Sequence, residues 1–290
     1  MSVSHFQEGL KIESDLLPWW NKRWELNKST LEPQIKIDER YDENVSLTND
    51  ELLLLVYLYF TKREVTGMSV ISCQEIAELL GYKYLKSDTR ISQRVLSIIE
   101  GVSKKCAPDK NKSIEVRFYP PEKIGWEKNM IFKISPVQRE KKKKGYLQIG
   151  SHEFAAIWKC SPIRTGESNL NKDWPFHQLL TVYMYIKTFF SSTTVNDNFI
   201  GWAGWRSSRL GEKDLHMSHQ KYSKIREYLV KQHVLYRNTQ NPALYATADN
   251  ADLWTSVQAR WPHRWGKNHE SLTATGFTNE IPLLPRGFEF

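Results

Sequence analysis

Between Lys86 and Ser97 the chain sets Lys86, Ser87, Thr89, Arg90, Gln93, Arg94 and Ser97 at one- to three-residue intervals. On a helix, most of these would share one side. Their chemistry is that of base edges and phosphates: an arginine fork grips O6 and N7 of guanine and a glutamine grips N6 and N7 of adenine, each worth roughly 1–3 kcal/mol of discrimination. A second set has a similar mix: His219, Gln220, Lys221, Lys224 and Glu227.

Other chemistry is not indicated. The chain has no G-x-x-x-x-G-K-[ST] for a P-loop. Trp205-Arg206-Ser207-Ser208-Arg209 lacks the glycines of a nucleophile elbow. There is no carboxylate cluster of the kind that holds Mg²⁺. In His216-Met217-Ser218-His219 two residues separate the histidines, so on a helix they make at most half a metal site. The expectation is a non-enzymatic protein with no cofactor and no metal.

Positioning the first set falls to Ser72–Glu100. Cys73 to Leu80 reads as a helix with Ile76, Ala77, Leu79 and Leu80 on one side, and Gly81 makes a turn. Ser87 to Glu100 reads as a second helix whose Ile91, Val95, Ile98 and Ile99 form a buried stripe. This is a helix-turn-helix with a polar, cationic outer face. Ahead of it, Ser46-Leu47-Thr48-Asn49-Asp50-Glu51 offers N-caps for an apolar helix, Leu52 to Lys62. Behind it, the runs 113–119 and 129–134 flank Pro120-Pro121-Glu122-Lys123-Ile124-Gly125, which reads as a β-hairpin. Helix, helix-turn-helix and hairpin in that order predict a winged helix, with Arg117, Lys123 and Lys128 on or beside the wing.

The order recurs. After Tyr146-Leu147-Gln148-Ile149, a predicted strand, and a short helix near Phe154–Trp158, Leu179 to Phe190 echoes Leu54 to Lys62. Val56, Tyr57, Tyr59 and Phe60 match Val182, Tyr183, Tyr185 and Ile186. His216 to Gln232 echoes the earlier second helix: Tyr222, Leu229 and Val230 stand for Ile91, Ile98 and Ile99, and Ile225 completes the stripe. The glycine-rich Phe199 to Gly211 takes the place of the first helix of the pair. Val234-Leu235-Tyr236-Arg237 and Ala243–Thr247 read as a shorter wing carrying Arg237. The predicted fold is α+β, two tandem winged-helix domains produced by duplication. Residues 1–45 are an N-terminal arm, 46–137 the first domain, 138–145 a basic linker, 146–250 the second domain and 251–290 an aromatic and basic tail. In that tail Trp254, Trp261 and Trp265 interleave with Arg260, His263, Arg264 and Lys267, either to stack on bases or to pack back on the domain.

Charge is distributed to suit. The 290 residues hold 41 Lys and Arg against 33 Asp and Glu, a formal charge of +8, and the pI is about 9.2. From Gly81 to Gly145 there are 17 basic against 7 acidic residues, and from Trp202 to Arg237 there are 8 against 3, so the rest of the chain is acidic. Such a balance favours a polyanionic partner. The aromatic content of 12% argues for a folded chain rather than a disordered one. No apolar run reaches the roughly 20 residues of a membrane span, and no basic n-region with an apolar h-region marks a signal peptide. Cys73, Cys106 and Cys160 are odd in number and widely spaced, which speaks against a disulfide framework or zinc site and for a reducing cytoplasm.

With the SLTNDELLLLVYLYF opening, two basic helix-turn-helix units and a mid-chain GYLQI strand, residues of about 46 to 250 resemble the theta-type plasmid replication initiators. The glycine-rich Phe199–Gly211 departs from the positioning helix of that pattern. The resemblance implies two winged helices that recognise repeated origin sequences, a homodimer that switches to monomer, and recruitment of host replication proteins. The expected partner is double-stranded DNA, touched by Lys86, Ser87, Thr89, Arg90, Gln93, Arg94, Arg117, Lys123, Lys128, His219, Gln220, Lys221, Lys224 and Arg237. The alternatives are a transcriptional regulator, a protein-interaction module, and a metal-dependent nicking initiator that would need His216 or His219.

Overall fold

A computed structural model describes residues 9–18, 20, 24–26, 33–35, 42, 44–82, 89–107, 114–121, 129–136, 146–161, 174–188, 191–195, 198–203, 208–237 and 245–246. It is α+β, helices with small antiparallel sheets. The elements begin with strands β1 (Leu10–Glu13), β2 (Trp24–Leu26) and β3 (Pro33–Ile35), helix α1 (Asn49–Thr61), strand β4 (Met68–Ser72) and helices α2 (Cys73–Leu79) and α3 (Thr89–Lys105). Next come β5 (Ile114–Tyr119), β6 (Asn129–Pro136), β7 (Tyr146–Ile149), α4 (Ser151–Lys159) and α5 (Phe176–Lys187). The last are β8 (Ser191–Val195), β9 (Asn198–Ala203), α6 (Ser208–Leu215), α7 (His219–Lys231), β10 (Tyr236–Arg237) and β11 (Tyr245–Ala246). Contacts divide the chain into one unit of Met1–Lys22 with Asp38–Thr181 and another of Arg23–Ile37 with Val182–Phe290. The expected linker 138–145 and tail 251–290 lie outside the described residues.

In the first unit α1 starts where its chemistry says it should. Thr48 Oγ1 accepts from the Glu51 amide at 3.2 Å, and the Thr48 amide donates to Glu51 Oε2 at 2.6 Å, a reciprocal capping box. Leu52 to Leu58 are all buried, so α1 is the central helix of the unit and not an amphipathic surface one. Gly67 turns the chain into β4 with φ at 66°, and its amide carbonyl accepts from Ile134. A Cβ there would lie 2.7 Å from the Ile134 carbonyl oxygen, so glycine is required twice over. Ser72 and Glu75 repeat the capping box for α2. In α3 Val95, Ile98, Ile99 and Val102 form the buried stripe, with Ile91 half-buried, and the helix runs to Lys105.

The hairpin follows. β5 and β6 pair antiparallel, Ile114 opposite Pro136 and Phe118 opposite Phe132. β4 joins the far side of β6 with Met68 opposite Lys133, giving the order β4-β6-β5. The strand before the helix pair is therefore hydrogen-bonded to the second strand of the hairpin.

Leu10, Ile12, Leu16, Leu17 and Trp20 of the expected arm belong to the core of this unit. β1 pairs antiparallel with β7, Leu10 opposite Ile149. The Trp20 indole donates to Asn49 Oδ1 at 2.6 Å, at the start of α1. The predicted helix near Phe154 is α4, and Phe154 and Trp158 join an aromatic cluster. Phe154 stacks on Phe60 with centroids 4.6 Å apart, Trp158 stacks on Tyr57, and Phe176 meets both Phe154 and Trp158 edge-on. Aromatic pairs of this kind add about 0.5–1.5 kcal/mol each beyond the area they bury.

In the second unit the buried Tyr183, Tyr185 and Ile186 of α5 hold the core with Leu215, Tyr222, Ile225 and Leu229. β9 is the surprise. Of Phe199–Gly211, expected to take the place of the first helix of the pair, the opening residues belong to a strand, Asn198–Ala203, and the helix begins at Ser208. Phe-Ile-Gly-Trp-Ala carries β-branched and aromatic residues but few strong helix formers, which favours the extended form. β9 pairs with β11, Ala203 opposite Tyr245, and β11 pairs with β10. β8 adds an outer strand, giving the order β10-β11-β9-β8. Gly211 lies in α6 against α7: a Cβ there would come 2.7 Å from the Tyr222 ring. The glycine that weakens α6 as a helix is what lets the tyrosine ring approach it.

Candidate nucleic-acid interface

The helix pairs set out the predicted residues. In α3 the outward row is Arg90, Gln93, Arg94 and Ser97, all exposed, at i, i+3, i+4 and i+7 and opposite the buried stripe. They sit in the first three turns, where a helix entering a major groove meets base edges. Thr89 opens the helix. In α7, capped by Ser218, which accepts from the Lys221 amide, the outward row is Gln220, Lys224 and Glu227. His219 is exposed beside it, and Lys221 is half-buried. Arg226 does not join that outward row. It is buried, with its guanidinium 5.6 Å from the centroid of the Tyr222 ring. His216 stands in the α6–α7 turn with φ at 50°, the left-handed region, and Gly81 takes the same conformation in the α2–α3 turn with φ at 76°.

Of the hairpin residues, Arg117 is exposed on β5 and pairs with Glu115. Arg237 lies in β10. Lys86, Ser87, Lys123 and Lys128 lie outside the described residues. The structure thus brings Arg90, Gln93, Arg94 and Ser97 onto one helix face, and His219, Gln220, Lys224 and Glu227 onto another.

Two residues that the sequence did not single out complete the first face. Tyr82 follows the left-handed Gly81, and its hydroxyl donates to Asp50 Oδ2 at 2.6 Å while accepting from Arg94 Nε at 2.7 Å. Arg94 Nη2 lies 3.5 Å from the same Asp50 oxygen. Burial pushes the Tyr82 phenol up to about 12. The bond to Asp50 and that carboxylate's charge add to the rise, and Arg94 opposes it. The hydroxyl therefore stays a donor beyond the pH at which an exposed tyrosine ionises. Because the folded value lies above the ordinary tyrosine value of about 10, the stability tied to this proton is complete below that value and is lost as pH rises towards 12. A tyrosinate absorbance titration of wild type minus Tyr82→Phe is expected to show no ionisation of this ring through the range in which exposed tyrosines titrate. A normal titration would break the network.

Among the described residues no group of three or more His, Cys, Asp or Glu could hold a metal ion, and His216 and His219 are exposed at the α6–α7 turn. Among the same residues no helix is long and apolar enough to cross a membrane. Burial raises the thiols of Cys73 and Cys160, the latter to about 11, which keeps them poor nucleophiles at neutral pH. No protein-family model, characterised protein sequence or solved structure matches the chain.

Proposed function

We propose that the protein binds double-stranded DNA sequence-specifically through two winged-helix units and acts as a plasmid or phage replication initiator at repeated origin sites. The observation that carries this reading is a shared connectivity. In each unit a helix is followed by a strand, a helix pair and a hairpin, with β8 inserted before that strand in the second unit, and the strand bonds to the second strand of the hairpin: β4 to β6 and β9 to β11. In each, the second helix of the pair turns a hydrogen-bonding row outward, cationic in α3 and with balanced charge, Lys224 and Glu227, in α7. A winged helix places that helix in the major groove and its hairpin along the backbone, so phosphates supply affinity and base edges supply choice.

Selection from a random duplex library, followed by salt titration of the winner, tests the reading. The expected result is an enriched motif whose log affinity falls with log salt by about 0.9 for each phosphate neutralised. Binding without any preferred sequence would sink it. Footprinting then separates origin from promoter: protection of repeats supports the initiator, and protection at a promoter alone supports a transcriptional regulator.

A further inference from the structure

Three elements meet at Arg94. Asp50 is fixed in the first turn of α1, where the helix dipole favours a carboxylate. Tyr82 is fixed by the turn after α2, and Arg94 stands in the second turn of α3. Tyr82 Oη bridges the other two, at 2.6 Å from Asp50 and 2.7 Å from Arg94 Nε. The Arg94 guanidinium carbon also lies 5.3 Å from the Tyr82 ring centroid. These partners take the side edge of the guanidinium, the Nε proton and the Nη2 proton beside it. What remains is the terminal Nη1–Nη2 edge, the planar fork that fits O6 and N7 of guanine. The Arg94 side chain is 66% exposed, so a groove can reach that edge. A phosphate needs only a nearby positive charge, which an unbraced lysine supplies, whereas bidentate base reading needs a guanidinium held in one orientation.

We propose that Arg94 reads a guanine and that Tyr82 and Asp50 are its positioning residues. The inference rests on the duplex-binding reading above. The test uses the full chain as wild type, Arg94→Ala, Tyr82→Phe and Asp50→Asn. Each is titrated against the selected duplex and against single-base variants of it, with salt dependence and thermal melting measured alongside. Arg94→Ala is expected to lose roughly tenfold or more of the preference for guanine at one position. Tyr82→Phe and Asp50→Asn are expected to lose roughly threefold to tenfold at that same position and at no other. Their salt slopes should match wild type.

Two results would overturn the proposal. Arg94→Ala could weaken every duplex alike and reduce the salt slope by about one, the signature of a phosphate contact. Alternatively, Tyr82→Phe and Asp50→Asn could keep the preference that Arg94→Ala loses. If Tyr82→Phe loses cooperative melting, Asp50→Asn, which keeps the phenol, decides. A wild-type protein with no preferred duplex is a different failure. It refutes the duplex reading itself, and this inference falls with it.

Discussion

Replacing Glu51 with alanine is expected to lower folding stability by about 3–5 kcal/mol, the size found when one member of a buried ion pair is removed. Glu51 Oε2 lies 2.7 Å from Lys105 Nζ, with the two side chains only 7% and 12% exposed. The same carboxylate oxygen accepts from the Thr48 amide and closes the capping box of α1. Alanine would therefore strand the lysine ammonium, orphan an amide at the helix start and untie α1 from the last turn of α3. Urea unfolding would show a reduced midpoint with an unchanged slope. Glu51→Leu combined with Lys105→Met removes both charges, so much of the loss should return. A glycine makes the pair possible. A Cβ on Gly101 would sit 1.8 Å from Glu51 Oε1. In an ordinary helix interior Gly→Ala stabilises by about 0.5–1 kcal/mol, but at Gly101 the sign is expected to reverse. An unchanged midpoint in Glu51→Ala would show that the pair contributes nothing.

Gly81→Ala is the second large effect, at about 2–5 kcal/mol. With φ at 76°, any L side chain at Gly81 costs about 1–2 kcal/mol in the left-handed region. The new Cβ would also meet the His177 ring, whose Cε1 would be 2.2 Å away, and forcing bulk into a packed contact costs about 1–3 kcal/mol more. The two causes separate experimentally. His177→Ala in the Gly81→Ala background removes the collision but leaves the backbone strain, so denaturation should show partial recovery. Full recovery would assign the whole cost to the ring, and none would assign it to the backbone. Since Tyr82 follows Gly81 directly, any duplex preference set by Arg94 should weaken along with stability.

What the sequence disclosed was periodic and local. The stripe Val95, Ile98, Ile99 was readable because 3.6-residue spacing leaves no other face for those side chains. The hairpin was readable because Ile114, Val116 and Phe118 alternate before a proline pair. The capping residue Thr48 sat among Ser46–Glu51, where side-chain oxygens precede an apolar run. What stayed hidden depended on partners distant in sequence. Asp50 looked like an ordinary first-turn acid and Tyr82 like a turn residue, and only folding shows both on one guanidinium. Arg226 carried the charge pattern of a solvated face, and its burial against Tyr222 depends on how α7 is rotated, which one helix's spacing cannot give. In Phe199–Gly211 the position in the repeat suggested a helix. The local propensity of Asn198–Ala203 and its pairing with β11 prevailed instead.

The pairing of β1 with β7 has a consequence for how the chain comes off the ribosome. Leu10 and Ile12 are almost the first described residues to be synthesised, yet the strand that covers them spans Tyr146–Ile149, and the aromatic cluster over α1 is not complete until Phe176. Contacts this far apart in sequence close slowly, because loop entropy must be lost before they form. The capping boxes, the α2–α3 pair and the β5–β6 hairpin can assemble from nascent chain as it emerges, whereas β1 must wait, its apolar side chains uncovered, until β7 has been made. Vectorial synthesis therefore imposes an order on maturation: the face that carries Arg90 and Arg94 can form before β1 has anywhere to dock.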